Sequence, residues 1–520
     1  MKKTYPILRL ALAAFISTAP ILSYAQPTPI YKDPSQPIEA RVQDLLGRMT
    51  IEEKTAQLRH IHEGSILNDD RTLNLDKMKN IIGTLGWGAV EGLTLTGTEM
   101  ARYTRQIQQY CIENTRLGIP IFTVSESLHG AVQDGATIFP QAVALGCTFN
   151  PGLAYQMTKA ISGELKAMGV NQVLSPVIDV IHELRWGRVE ESFGEDPFLV
   201  SQMGVHEING YIDGGISPML KVLGPHGIPT SGLNLASTEA GERDLREFYL
   251  KPYEVAVKRT GVNAVMTAYN STNRIPNTAS KWLLTDLLRT EWGFKGYTYS
   301  DWGAVSMLYS FHKVAADAEE AAKMALEAGT DLEASSDCYA RIPEMVRSGK
   351  LDIKYVDQAC SRVLYAKFKA GLFENPYGLP LEEYDAKVHT EEHIALSRRI
   401  SEESVVLAKN DNNLLPLDIN SLRSIAVIGP NANQVQFGDY TWSRDNKDGI
   451  TPLQGIRNLA GNRLDVHYAA GCDLVSDNRS GFAEAVAAAK KSDVVLLFMG
   501  SAAPLWHATT AIALAVKAMT

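Results

Sequence analysis

Short apolar runs that each end on a polar residue alternate with helix-spaced patterns. This predicts an α/β chain of parallel strands joined by helical crossovers. Over residues 35–373 the alternation fits a (β/α)8-type barrel. Two further observations divide the chain. Its 520 residues exceed what one ordinary core accommodates. A polar, Pro- and Gly-bearing stretch, ENPYGLPLEEYDAKVHTEEH, also precedes a second α/β unit. Residues 374–400 therefore read as a linker and residues 401–520 as a second domain.

The elements follow in order. Lys2 and Lys3 precede an apolar run from Ile7 to Leu22, and Ser23-Tyr24-Ala25 offers small residues where a signal peptidase reads. Residues 1–25 are expected to be a cleaved signal peptide, so the mature protein is expected to be secreted or periplasmic, with no membrane span after cleavage. A membrane anchor fits less well, because the run is short for a bilayer and is broken by Arg9 and Pro20. RVQDLLGRMTIEEKTAQL has apolar residues at helical spacing, with Thr50 and Glu53 placed as a capping box. GTLGWG reads as a turn. Strand-like runs come next: IPIFTVSE to Glu126, VNQVLSPVID to Asp179, SPMLKVLG with Lys221, VNAVMTAYN to Asn270, GYTYSD to Asp301, then AGTDLEA. The second unit offers SIAVIGP, RLDVHYAAG, a helix from Gly481 to Lys491, and DVVLLFMG, which reads as a buried strand opened by Asp493.

Composition excludes several classes. Hydrophobic residues make up 45% and charged residues 21%, which is ordinary for a globular chain. Net charge is −9 and no Lys/Arg stripe occurs, so no nucleic-acid partner is expected. The five cysteines, Cys111, Cys147, Cys338, Cys360 and Cys472, form no C-x-x-C pair. Most read as buried small hydrophobes, and their odd number leaves at least one free or paired between chains. His60, His62 and Glu63 lack metalloprotease spacing and read as loop polar groups. No metal and no cofactor is assigned.

In a barrel of this kind the active site lies at the C-terminal ends of the strands. Glu126, Lys221, Tyr269 and Asp301 fall at or near such ends. A carboxylate there, with charged partners and aromatic surfaces, suits glycoside hydrolysis. Retention of configuration needs an ionised nucleophile and a protonated acid about 5–5.5 Å apart. Each residue also has a plain structural reading. Asp301 could cap the following helix, Glu126 could sit at a helix start, Arg188 and Glu191 could be only an ion pair, and Tyr269 could be core.

GFKGYTYSDWG, ESLHG, RWGRVEESFGEDP, MTAYN, GERDLREFYLKPYE and EESVVLAKNDNNLLPL resemble segments of glycoside hydrolase family 3, the β-glucosidase and β-xylosidase family. The resemblance runs from about Arg41 to Gly500. It implies Asp301 as the catalytic nucleophile and Glu126, Arg188 and Lys221 as ligands of sugar hydroxyls. It places Tyr269 near the nucleophile and Trp302 beside the next subsite. The function implied is a retaining exo-β-glycosidase acting on β-linked oligosaccharides or aryl glycosides, with terminal glucose as the first expectation. β-Xylosidase or dual activity is the alternative, because Glu126 stands where many β-glucosidases of the family have the shorter Asp.

The chain departs from the family pattern in three places. Lys221-Val222-Leu223 replaces Lys-His-Phe, so Val222 cannot donate to the sugar, and His226 is the nearest substitute. His182-Glu183-Leu184 replaces Arg-Asp-Pro. The acid/base resembles a glutamate downstream of Gly500, yet SAAPLWHATTAIALAVKAMT carries no Asp or Glu. That segment reads as frameshifted or truncated, which makes the second unit an incomplete α/β sandwich domain with an uncovered sheet edge. A reading of another class follows: a catalytically crippled sugar-binding fragment lacking the acid/base. An N-acetylhexosaminidase of the same family fits less well, since no segment of that type follows His226.

Overall fold

The computed structural model describes residue 1 and residues 29–91, 96–474 and 476–500. The expected signal peptide beyond its first residue, and the segment after Gly500, lie outside the described residues.

Seven strands pair in chain order, each parallel to the next: β1 His60–His62, β2 Ala89–Glu91, β3 Phe122–Ser125, β4 Gln172–Val173, β5 Ser217–Leu223, β6 Ala264–Thr267 and β7 Tyr297–Ser300. The eighth position is taken by the AGTDLEA run. Leu332 bridges Tyr299 and Glu333 bridges Arg59, and Glu333 N donates to Leu58 O at 2.9 Å. The expected barrel is present. Helices such as Pro151–Ala167, Pro197–Asp213 and Lys251–Arg259 cover its outside. Strands enclosed on both faces favour β-branched and aromatic residues throughout. β3, β6 and β7 accordingly are buried along their full length. Inside the ring Phe122 and Tyr297 stack with centroids 5.8 Å apart, an arrangement that contributes about 0.5–1.5 kcal/mol beyond area burial. Thr50 and Glu53 form the expected capping box.

Two readings change. His60 and His62 are not loop groups but β1, a strand too short to leave a periodic signature. The expected linker 374–400 is not a linker throughout, because Glu391–Glu403 is a helix docked on the barrel. Its charged face dominates the sequence. Ile400 is nonetheless fully buried, His393 Nδ1 lies 2.7 Å from Glu164, and Ser397 Oγ donates to Ile138 O.

The second domain has a parallel sheet of three strands, with β8 Ser424–Ile428 between β9 Asp465–Ala469 and β10 Val494–Leu497. β8 is buried throughout. DVVLLFMG was expected to be buried, but β10 alternates between half-buried and exposed, with Leu497 64% exposed. It is an edge strand among the described residues. The expected helix is Phe482–Lys490. All five cysteines are free thiols. No helix among the described residues is long and apolar enough to cross a membrane.

Candidate active site

β7 delivers its last side chains to the mouth of the barrel. Asp301 follows it directly, and Gly303, at φ 71°, turns the chain into the helix Ala304–Ser310. That left-handed conformation costs glycine nothing and most residues about 1 kcal/mol or more. Asp301 is 4% exposed. Its Oδ1 accepts the Trp302 backbone N–H at 2.8 Å, while its buried Oδ2 has no hydrogen-bond partner among the described residues. Burial pushes the Asp301 carboxyl above the usual range. The charges of Lys221 and Arg188, the Trp302 N–H and the Tyr269 hydroxyl pull the other way and favour its ionised form.

Around it stand groups from four other strand ends. Lys221, 2% exposed, projects from β5, and its Nζ reaches both oxygens of Glu126 at 2.8 and 3.0 Å. Burial opposes charge on Lys221, but Glu126 outweighs it and holds the ammonium above its ordinary range. Burial also raises the Glu126 carboxyl, against the pull of Lys221. Arg188 makes a two-pronged pair with Glu191, at 2.7 and 2.8 Å. Tyr269 is half-buried next to β6 and its carbonyl accepts from His312 Nε2 at 2.9 Å. Trp302 is half-buried and its indole N–H donates to Glu91 at 2.6 Å.

His226 is placed differently. It is 0% exposed, its Nε2 bonds the Asn234 carbonyl at 2.9 Å, and its backbone N–H donates to Asp179 at 3.0 Å. Burial, with Arg188 nearby, lowers it to about 3, so the ring is neutral. Val222 is buried core. His182-Glu183-Leu184 lies at the surface, where Glu183 grips Arg185 at 2.7 and 2.8 Å.

Two residues at the site were not anticipated. Tyr440 reaches in from the second domain. Its hydroxyl lies 3.4 Å from Lys221 Nζ and 3.5 Å from Arg188, and Lys221 Nζ also stands 4.5 Å from its ring centroid. The barrel holds that loop by its main chain: His129 and Gln141 bond the Asp439 carbonyl at 2.7 and 2.9 Å, and Asp439 N donates to Glu190 at 2.8 Å. Only the aromatic residues of GDYTW, lying in a loop, hint at this. Glu91 ends β2. Its signal, a carboxylate closing a short apolar run between glycines in GAVEG, is the one that marks Asp301, but the run is only three residues long. Charges and hydroxyls so arranged can hold a polyhydroxylated ring, and Asp301 Oδ2 can attack it.

The model described as Glycosyl hydrolase family 3 N terminal domain matches residues 50–366, and that of the corresponding C-terminal domain matches residues 405–510. A β-xylosidase of Formosa agariphila is 39% identical over 417 residues, covering 75% of this chain and 57% of the relative. A periplasmic β-glucosidase of Salmonella typhimurium is 33% identical over 502 residues, covering 90% and 63%. The chain thus spans roughly three fifths of the length of these curated relatives. Among solved structures, a β-glucosidase from Erythrobacter marinus superposes with TM-score 0.84 at 32% identity, covering 91% of this chain and 67% of the other. A β-glucosidase from Listeria innocua in complex with glucose gives 0.78 at 31%, covering 88% and 63%.

Proposed function

The chain belongs to glycosyl hydrolase family 3, and from that membership we propose that it serves a retaining exo-β-glycosidase removing terminal β-D-glucosyl residues from oligosaccharides. One observation carries the reading: the buried Asp301 carboxylate at the barrel mouth has one oxygen tied to the Trp302 N–H and the other without a partner among the described residues. In this mechanism Oδ2 attacks the anomeric carbon as the bond to the leaving oxygen breaks, and the leaving oxygen takes a proton from a carboxylic acid. Water then hydrolyses the glycosyl ester with overall retention. The charges of Lys221 and Arg188 favour the ionised form of Asp301 against its burial and, with Glu126, these groups are suited to hydroxyl binding. The resemblance puts the acid/base downstream of Gly500, where residues 501–520 offer no Asp or Glu.

The β-xylosidase relative and the longer reach of Glu126 favour a second reading, xylosidase or dual activity. The added methylene occupies space a hydroxymethyl group would need. Differences of this kind amount to roughly 1–3 kcal/mol, or about 10- to 200-fold in kcat/KM. A secreted or periplasmic location is part of the proposal, supported by the charged and apolar leader pattern and by the periplasmic relative. Inactivation with a 2-fluoro glycoside followed by peptide mapping tests the nucleophile, and label on any residue other than Asp301 overturns the assignment. kcat/KM on p-nitrophenyl β-glucoside and β-xyloside decides between the sugars.

A further inference from the structure

β1 and β2, the strands that sequence patterning misses, carry His60, His62 and Glu91, which the mechanism above does not use. They form one cluster behind Trp302. Glu91 is 1% exposed. Its Oε1 accepts the Trp302 indole N–H at 2.6 Å and its Oε2 meets the Tyr299 hydroxyl at 2.7 Å. His60 Nδ1 accepts from Ser335 N at 3.1 Å, which leaves the proton on Nε2, and that atom stands 3.4 Å from Glu91 Oε2. The His62 ring meets the indole edge-on at 5.0 Å. The Trp302 backbone N–H is meanwhile bonded to the Asp301 carboxylate. Trp302 is thus held at its indole by Glu91 and at its backbone by Asp301.

We infer that Glu91 is a positioning residue: it sets the plane of the Trp302 indole beside Asp301, and with it the aromatic wall of the sugar site. The inference rests on the reading of Asp301 as nucleophile. A buried N–H that loses its acceptor must turn to find another, since leaving it unpaired costs more than the bond itself contributes. Burial, and then the neighbouring Glu126 carboxylate, raise Glu91 to about 8, so near neutral pH it is the uncharged acid. Glutamine at this position would preserve the shape, the neutrality and both polar contacts.

Three variants of the 520-residue chain test this. Glu91→Leu removes both contacts, Glu91→Gln keeps them, and Trp302→Phe removes the indole N–H. The tryptophan emission due to Trp302 is taken in each background as the difference made by Trp302→Phe. It should shift in Glu91→Leu and persist in Glu91→Gln. On a dinitrophenyl β-glucoside, which needs little protonation, Glu91→Leu should lower kcat/KM roughly 10- to 100-fold, and Glu91→Gln less than about threefold. In the Trp302→Phe background Glu91→Leu should add less than about twofold, because its action passes through the indole. An unshifted Trp302 emission in Glu91→Leu, or full additivity in the double variant, overturns the inference. So does loss of the emission signature in Glu91→Gln, which decides the matter even if Glu91→Leu fails to fold. A parent chain that shows the emission coupling but cleaves no aryl β-glycoside overturns the glycosidase reading instead, and leaves the positioning of Trp302 standing.

Discussion

β7 of the barrel is buried along all four residues, whereas β10 of the second domain alternates between half-buried and exposed. Both are short parallel strands in an α/β unit. In the closed ring, carboxyl groups are drawn away from water and their acidity moves. Burial lifts Asp179 to about 7 and Glu207 to about 8. In the open sheet Asp493 stays solvated, and backbone N–H groups of Arg423 and Ser424 lower its carboxyl. Chemistry that needs shifted groups is therefore built in the ring. The second domain contributes by reach, through the loop that carries Tyr440.

The contrast can be tested, beginning where the expected effect is largest. Asp301→Asn should lower kcat on the order of 10⁴-fold or more, since an amide cannot form the glycosyl ester. Steady-state kinetics and circular dichroism should show lost turnover in a folded barrel, and substantial residual activity would break the assignment of chemistry to the ring.

Glu207 tests the burial argument without touching the mouth. Its carboxyl accepts from Ser175 Oγ at 2.9 Å, yet burial holds it at about 8. An unfolded chain titrates near 4.3, so between about 4.3 and 8 the folded chain keeps a proton the unfolded one has lost. Stability contributed here is present at low pH and falls as pH rises through that window, by as much as about 5 kcal/mol. Denaturant midpoints at pH 5 and 8 should differ less in Glu207→Gln than in the parent.

Tyr440→Ala should raise KM for aryl β-glycosides roughly 10- to 100-fold, the scale of a hydrogen bond to charged groups. An unchanged KM would reduce the second domain to a cover. Leu497→Ser on β10 should shift stability by no more than about 0.5 kcal/mol, as expected for an exposed position, and a larger loss on thermal melting would mean this edge is covered.

The barrel was legible because its longer strands carry their own signature. β-Branched and aromatic runs end on Glu126, Asp301 and, near β6, Tyr269, with a helix pattern after each. Asp301, Glu126, Lys221 and Arg188 do converge at the mouth, as the strand-end argument and the family resemblance imply. β1 and β2 escaped because three residues span barely one period of alternation, so only register with neighbours defines them. The helix Glu391–Glu403 escaped because charged side chains outnumber the few apolar ones that dock it. Tyr440 could not be found from local pattern, since its importance comes from a contact 219 positions away in sequence.

The loop bearing Tyr440 is gripped at backbone atoms: a carbonyl held by His129 and Gln141, and an amide held by Glu190. The Trp442 indole, which donates to Ala136 O at 2.8 Å, is a further anchor, and none of these contacts uses the side chain at 440, so that residue can be exchanged without losing them. The exchange is not open to all residues. The backbone there has φ 54°, a conformation that asparagine, aspartate and glycine adopt readily and β-branched residues resist. Position 440 thus accepts a limited set of side chains, with valine, isoleucine and threonine disfavoured by backbone geometry alone.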